Sequence, residues 1–359
     1  MAKRVVIVGG GYVGAELARA LERRADVTLV EQREAFCHAP ALIRATISPD
    51  LLERALLPYD RLLERGNVVR ARAISVDGAG VTLADGRRLA ADIIVIATGS
   101  THGRAFKARG QSVEGLRGAS RALHEAVTQA TEIAIVGGGA LGVELAGEIR
   151  AARPRKRVTL ISDTPLLHGY PPRLGRDLAR RLDALGVDCI TGARAVELPG
   201  GAEPFAGPVT LEDGRVIAAD LTIPALGSTP STTLLETLPG LRKGPDGRAL
   251  TDGWMRPSAL PNVFAAGDAA ENGDAMTIVG VSRQVPWLTR AIAGLLEGKP
   301  PERGPAYAPW PRPPILVPLG PHMGASILPV VGLVGSGPTR MIKGRDLFVP
   351  KYRRLFGLC

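Results

Sequence analysis

Arg4-Val-Val-Ile-Val-Gly-Gly-Gly-Tyr-Val-Gly-Ala-Glu-Leu-Ala18 returns, with few changes, as Glu132-Ile-Ala-Ile-Val-Gly-Gly-Gly-Ala-Leu-Gly-Val-Glu-Leu-Ala146. In each copy the apolar run before the glycines predicts a buried strand. The apolar spacing after them predicts a helix, through about Leu21 in the first copy and from about Val143 to Arg150 in the second. A second strand follows each helix, Val27-Thr-Leu-Val30 and Val158-Thr-Leu-Ile161. The repeated object is therefore a whole βαβ unit. Gly-x-Gly-x-x-Gly in that setting lets the backbone turn sharply, approach a pyrophosphate and pack the helix on the strand, while the helix N-terminus offers its positive dipole.

Working outward, each copy is followed by a hairpin with an Asp-Gly turn, Val81-Thr-Leu-Ala-Asp-Gly86 and Val209-Thr-Leu-Glu-Asp-Gly214. Each hairpin leads to a strand and a glycine, Ile93 to Gly99 and Leu221 to Gly227, where the chain is expected to cross between domains. From Lys299 the composition turns proline-rich, with Pro300, Pro301, Pro305, Pro309, Pro311, Pro313 and Pro314, before apolar segments and a basic tail. The expected architecture is α/β: two Rossmann-like dinucleotide-binding domains, in the manner of the glutathione-reductase-like FAD/NAD(P)-binding fold, plus a small C-terminal α+β domain. The expected division is residues 1–112 with 245–298, residues 113–244, and residues 299–359.

In the first fingerprint, Gly9, Gly11 and Gly14 are completed by Glu31 at the end of the second strand, where a carboxylate accepts hydrogen bonds from an adenosine ribose. The segment Asn262-Val-Phe-Ala-Ala-Gly-Asp268 resembles the strand that many two-nucleotide flavoproteins end in Gly-Asp, with the aspartate on the ribityl chain. That resemblance implies FAD at the first site, through Gly267 and Asp268. The second fingerprint, Gly137, Gly139 and Gly142, is then expected to hold NADH or NADPH, with the nicotinamide stacked on the flavin. Aligning VTLVE with VTLIS puts Ser162 where Glu31 sits and Asp163 one place later, which weakens the usual repulsion of a 2′-phosphate and favours use of both nucleotides. Arg173 and Arg176 either reach that phosphate or are solvated helix residues. Glu144 has two readings as well, a group beside the nicotinamide and flavin or a first-turn acid complementing the helix dipole.

A redox-active cysteine pair is expected after Glu31 in a disulfide reductase, but the chain reads Ala35-Phe-Cys-His-Ala-Pro40. The three cysteines, Cys37, Cys189 and Cys359, are too far apart for a dithiol relay, a disulfide framework or a zinc cluster, and they fit a reducing compartment. His38 either lies over the flavin edge or is an ordinary loop histidine. No metal is expected. The start Met-Ala-Lys-Arg enters a strand at once, so neither a signal peptide nor N-myristoylation is expected, and no apolar run is long enough for a transmembrane helix. The expected location is cytoplasmic, with peripheral contact at a membrane surface. The net charge of +10 is compatible with anionic partners, yet arginine pairs such as Arg23-Arg24, Arg87-Arg88 and Arg180-Arg181 read first as solvated faces. No helix-turn-helix, RNA-binding or zinc module is recognisable, which argues against a nucleic-acid binder.

These features resemble the apoptosis-inducing-factor-like flavoproteins, the family that includes the ferroptosis suppressor proteins. The resemblance is carried by Phe36-Cys37-His38, Ala97-Thr-Gly-Ser-Thr101, Gly137 to Ile149, Gly267-Asp268 and Lys343-Gly-Arg-Asp-Leu-Phe348. It implies NAD(P)H oxidation through noncovalent FAD, with Thr98 and Gly99 in the cofactor site and Glu144 and His38 nearest the chemistry. It further implies a quinone of the ubiquinone or menaquinone type as acceptor, as in the similar type II NADH dehydrogenases, with Gln284, Pro286, Trp287 and Phe348 beside it. The tail Lys351 to Leu358 is then the expected membrane contact, in a monomer or homodimer. The segment Thr277 to Gln284 departs from the type II dehydrogenase pattern and leaves the acceptor open. A reductase of a rubredoxin or ferredoxin, whose acidic surface would suit this charge, is one alternative, and a slow NADH-oxidising sensor that binds nucleic acid is another.

Overall fold

The computed structural model describes residues 2–108, 110 and 112–358, so Cys359 lies outside the described residues. In chain order the elements that position the site are β1 Arg4–Val8, α1 Tyr12–Leu21, β2 Asp26–Glu31, α2 Ala39–Ala45, α3 Leu51–Ala55, β3 Asn67–Arg70, β4 Ile93–Ile96 and α4 Glu114–Gln129. They continue with β5 Glu132–Val136, α5 Ala140–Ala152, β6 Arg157–Ser162, α6 Pro172–Ala184, β7 Val187–Thr191 and β8 Leu221–Pro224. The last are β9 Val263–Ala265, α7 Ile278–Leu296, β10 Ile315–Leu319, β11 Met323–Leu328, β12 Gly332–Val334 and a C-terminal helix, Val349–Leu355.

The strands build two Rossmann-like sheets of the same topology. The first runs β9-β4-β1-β2-β3 with every neighbour parallel. The second runs β7-β6-β5-β8 in parallel and adds the short strand Phe205–Ala206 antiparallel at its edge. Alternation along a strand explains why both faces are covered. Val5 and Ile7 point to the side of α1 and α7, whereas Val6 and Val8 meet Val76, Val81 and Leu83 of the first hairpin. Ile133 and Ile135 meet the helices of the second half, and Ala134 and Val136 meet Val209 and Leu211 of its hairpin. A strand packed on both sides has no polar face, hence the unbroken apolar runs of the sequence. Among the described residues no helix is long and apolar enough to cross a membrane.

The C-terminal region is a three-stranded antiparallel sheet, β10 to β12, followed by a helical turn over residues 336–344 and then the C-terminal helix. The sheet leans on α5 so closely that a Cβ on Gly147 would lie 2.5 Å from Leu319 Cα. The C-terminal helix returns to the first half, where Tyr352 and Phe356 are buried against Tyr12, Phe36 and Tyr59 at ring separations of 5.0 to 5.7 Å. The tail's aromatic residues therefore belong to the core, and Lys351 and Arg354 are left facing outward.

Three parts of the chain are tied together by buried charge. The Arg44 guanidinium on α2 makes three hydrogen bonds of 2.8 to 3.0 Å to the Glu148 carboxylate on α5 and another of 2.7 Å to the Gly344 carbonyl. Burial pulls the Glu148 carboxyl upward in pKa, so the ionised form depends on Arg44 beside it. Removing one partner of such a pair leaves an uncompensated charge in the interior. Arg44→Ala is therefore expected to cost about 3–5 kcal/mol of stability, read as a lower urea midpoint of the FAD-loaded protein, and a second change, Glu148→Met, to recover much of it. An unchanged midpoint in Arg44→Ala would contradict the role given to this pair.

Candidate functional site

Both glycine turns are shaped by close approaches that exclude side chains. Gly9 has φ +105° and a Cβ on it would lie 2.3 Å from the Ala97 carbonyl oxygen; its counterpart Gly137 has φ +130° and the same relation, 2.4 Å, to Ala225. A Cβ on Gly14 or Gly142 would meet the carbonyl of Gly9 or Gly137 at 1.8 or 2.0 Å, so helix and turn are in contact. At the middle glycines the situation reverses: nothing lies within 4 Å of a Cβ on Gly11 or Gly139. Those two residues are the N-caps of α1 and α5, and neither helix start has a side-chain cap. Each fingerprint thus presents uncapped backbone N–H groups to open space, the arrangement that accepts a pyrophosphate.

The strand ends differ. Glu31, 5% exposed, accepts the Gly10 N–H at 2.7 Å and the Arg33 N–H at 3.0 Å, which fixes its carboxylate at the edge of the first turn. The buried Arg33 Nε beside it has no protein partner among the described residues, leaving a donor for a nucleotide. In the second half Ser162 is buried and its hydroxyl lies 2.4 Å from where a Cβ on Gly138 would be. Asp163, Arg173 and Arg176 are exposed, and Arg173 lies against Gly332 of β12.

The Gly-Asp strand converges on the first turn, since a Cβ on Gly267 would be 3.3 Å from Val13 of α1. Asp268 accepts the Ser100 hydroxyl at 2.5 Å and pairs with Lys107 at 3.3 Å, and Lys107 also reaches the Ser100 hydroxyl. Gly99 has φ +72° and its carbonyl accepts the Ser231 N–H, while the Thr98 hydroxyl donates to the Ser231 carbonyl. Gln284 Oε1 accepts the Gly267 N–H at 2.8 Å, and its amide donates to buried Asp274, which also takes the Tyr307 hydroxyl. The Trp287 indole donates to the Pro305 carbonyl at 3.1 Å. Gln284 is thus brought beside the Gly-Asp turn, whereas Trp287 packs on Tyr307, and the polar atoms of both are already committed inside the protein. Pro286 of the same helix is exposed.

Glu144 is the fifth residue of α5, past the first turn, so it is not the first-turn acid that one reading of the sequence offered, and it is 4% exposed. Lys343 Nζ, from the C-terminal turn, donates to its carboxylate at 2.6 Å and to the Leu316 carbonyl at 3.0 Å. Burial raises the Glu144 pKa and the lysine opposes that rise. His38 is 1% exposed, and its Nδ1 meets the Tyr12 hydroxyl at 3.0 Å while Nε2 meets the Leu347 carbonyl at 2.6 Å. The Tyr12 hydroxyl also accepts the Ala39 N–H, so it donates to Nδ1 and leaves the Nε2 proton for Leu347. Leu347 and Phe348 are consecutive left-handed residues, φ +54° and +63°, a turn that costs about 1–3 kcal/mol per residue and needs such an anchor. Phe348 is half-buried beside them. Cys37 has its thiol pushed up to about 11 by burial, which leaves little thiolate at neutral pH. Sequence reasoning gave no role to Tyr12, Arg33, Lys107 or the Lys343 amine; Tyr12 lay within the fingerprint, whereas the others act through partners remote in sequence or at a strand end.

A sequence model described as pyridine nucleotide-disulphide oxidoreductase matches residues 60–290, and a second of the same description matches residues 4–51. Apoptosis-inducing factor homolog B of Dictyostelium discoideum is 28% identical over 371 residues, covering 98% of this chain and 96% of that protein. Ferroptosis suppressor protein 1 of Xenopus laevis is 27% identical over 283 residues, 74% of each chain. In structure, the chain superposes on the sulfide:quinone oxidoreductase of Aquifex aeolicus with a TM-score of 0.77 over 99% of this chain and 92% of that one, at 16% identity, a likeness of fold.

Burial lowers the His38 pKa to about 4, against the pull of the Leu347 carbonyl and with help from Lys343 and Lys351. Below about pH 6.5 the unfolded chain takes up a proton that the folded ring refuses, so stability falls as the pH drops toward 4. The expected slope amounts to roughly 3 kcal/mol across that window. Equilibrium unfolding of wild type and His38→Asn between pH 4 and 7 tests it: the variant is expected to lack this component, and equal slopes would contradict the neutral, buried ring.

Proposed function

Because the chain belongs to the pyridine nucleotide-disulphide oxidoreductase family, with FAD and NAD(P)H as its cofactors, we propose that it oxidises NAD(P)H and passes the electrons to a quinone. FAD bound at the first fingerprint supplies the two-electron acceptor for the nicotinamide and the donor to the quinone. Gly9, Gly11 and Gly14 with the α1 N-terminus would hold its pyrophosphate, Glu31 and Arg33 its ribose, and Asp268 with Lys107 and Ser100 the chain leading to the flavin. Gly137, Gly139 and Gly142 would hold NAD(P)H at α5.

The observation that supports a quinone is the C-terminal segment over residues 343–348, which brings a partly buried lysine to Glu144 and an apolar turn, Leu347-Phe348, onto His38. A cation beside an apolar wall suits an uncharged acceptor that gains negative charge on reduction. Lys343 stabilises that charge and is itself held by Glu144 and the Leu316 carbonyl. His38 and Tyr12 act as positioning residues that keep the turn closed. Cys37, half-buried and with no other cysteine near it in sequence, does not form the local dithiol pair that a disulfide acceptor calls for. The Aquifex aeolicus protein that shares this fold is a sulfide:quinone oxidoreductase, which supports the reading. The net charge of +10 keeps one second reading in view, a reductase of an acidic electron-transfer protein.

Steady-state oxidation of NADH and NADPH with a soluble ubiquinone or menaquinone analogue, at rising salt, separates the two. Fast turnover insensitive to salt is expected; a flavin that is reduced but reoxidised only by a rubredoxin or ferredoxin, with steep salt loss, would overturn the quinone assignment. Lys343→Ala is expected to lower quinone-linked kcat by about 10²-fold with flavin content unchanged, the scale of losing one charge-stabilising donor.

With a serine at the strand end, NADPH is expected to be used within about tenfold of NADH. Ser162→Glu restores the carboxylate of the first half and is expected to cost NADPH a further tenfold or more, of the order of 1.4 kcal/mol. Equal loss for both nucleotides would mean the residue only shapes the turn.

A further inference from the structure

Two hydrogen bonds away from the Gly267-Asp268 turn lies a buried carboxylate that neither glycine fingerprint uses. Asp274, 4% exposed, sits just before α7, where a Cβ on Gly280 would be 3.3 Å from its own Cβ. Its Oδ2 accepts the Gln284 amide at 3.1 Å and the Tyr307 hydroxyl, and its Oδ1 accepts the Trp310 N–H at 3.2 Å. Burial, and after it the hydrogen bond to Asp274, raises the Tyr307 pKa, so that hydroxyl keeps its proton and donates. Tyr307 and Trp310 belong to the proline-rich segment, which has other attachments as well. The Tyr307 N–H donates to the Gly253 carbonyl at 2.7 Å, the Trp287 indole to Pro305 and Arg283 Nε to the Ala308 carbonyl at 2.5 Å. The segment therefore does not depend on the Asp274 carboxylate alone.

Gln284 has a stricter requirement. The residue is 4% exposed, and its amide has one accepting and one donating end. The Gly267 N–H can only donate; Gln284 Oε1 accepts it at 2.8 Å, and Gly267 is held in the left-handed region at φ +71°. The NH2 end then needs an acceptor on the other side, and the Asp274 carboxylate, which only accepts, is that acceptor. The two partners together allow one orientation of the amide. Without the carboxylate the NH2 group is a buried donor lacking an acceptor, and an amide that turns to find another sets donor against donor at Gly267. The cost falls on the backbone of the residue immediately before Asp268.

We infer that Asp274 is a positioning residue of the flavin site, acting through Gln284 to fix the turn that presents Asp268. The inference rests on the reading of Gly267-Asp268 as a turn that holds FAD, and the experiment separates the two. Flavin release from FAD-loaded full-length protein is followed by fluorescence after dilution. Asp274→Ala is expected to release FAD about tenfold faster or more, the scale of one unpaired buried donor. Tyr307→Phe removes a bond to the same carboxylate but leaves Gln284 paired, and is expected to stay within about twofold of wild type. Gln284→Glu sets two carboxylates face to face and is expected to lose FAD as Asp274→Ala does. Adding Asp274→Asn to it restores a donor opposite an acceptor at the original total charge, and is expected to recover most of the loss. A role in packing alone would not be repaired by that exchange. Asp268→Ala tests the underlying reading: faster release upholds it, and wild-type release would overturn the assignment of the turn and the inference with it. With the turn upheld, wild-type release from Asp274→Ala, an equal loss in Tyr307→Phe, or no recovery in the exchanged pair would overturn the inference alone. A single variant isolated without flavin counts as the loss, and the exchanged pair is then judged by whether it retains FAD.

Discussion

Buried charge at the junction of the two halves is the constraint on which the remaining structure rests. Glu144 and Glu148, one turn apart on α5, are both taken out of water, and a carboxylate in that position is stable only with a cation in contact. Neither partner comes from the second half. Lys343 arrives from the C-terminal turn and Arg44 from α2, so the two carboxylates are satisfied only when all three parts of the chain are together. This couples the formation of the cofactor cleft to the docking of the tail. It also explains why the small C-terminal sheet, which has a core too slight to stand alone, is held firmly on the helix that carries the second nucleotide turn.

The tail is then locked a second time, by aromatic packing instead of charge. Tyr12 belongs to the first glycine turn, and its ring meets Phe36 and Tyr352 edge-on at 4.9 and 5.0 Å. Its hydroxyl bridges Ala39 and His38, and His38 holds the left-handed turn at Leu347. A single residue at the start of α1 thus connects the dinucleotide turn, the segment after β2 and the C-terminal lock. The arrangement gives the strained turn two supports, one polar and one apolar, which is how a backbone conformation of that cost persists.

What the sequence disclosed and what it withheld follow from the range of the interactions. The two glycine turns, the strand-ending acid Glu31 and the Gly267-Asp268 strand are legible because each needs a particular residue at a fixed local spacing. The change from Glu31 to Ser162 is legible by setting one half against the other. The junction was not: Glu144 is paired across to Lys343, and no local pattern announces a contact between residues so far apart. His38 was open between two readings until its nitrogens were seen to be committed to Tyr12 and Leu347. The tail read as a membrane contact because basic and apolar residues occur together in it, yet its apolar side had a partner within the same chain, which composition alone does not reveal.

Helix α5 has a property of an axle. At its N-terminus it turns the backbone N–H groups outward at Gly139, just past its first turn it carries Glu144, and a turn later it presents Gly147 to Leu319 and Glu148 to Arg44. All four attachments are fixed in rotation as well as in height. One inserted residue would swing everything beyond it by about 100° and raise it by about 1.5 Å, which would separate both acids from their cations and turn a side chain into the place of Gly147. The segment from Gly142 to Ile149, buried at every position, therefore admits no change in length, and its register is the measure against which the rest of the molecule is assembled.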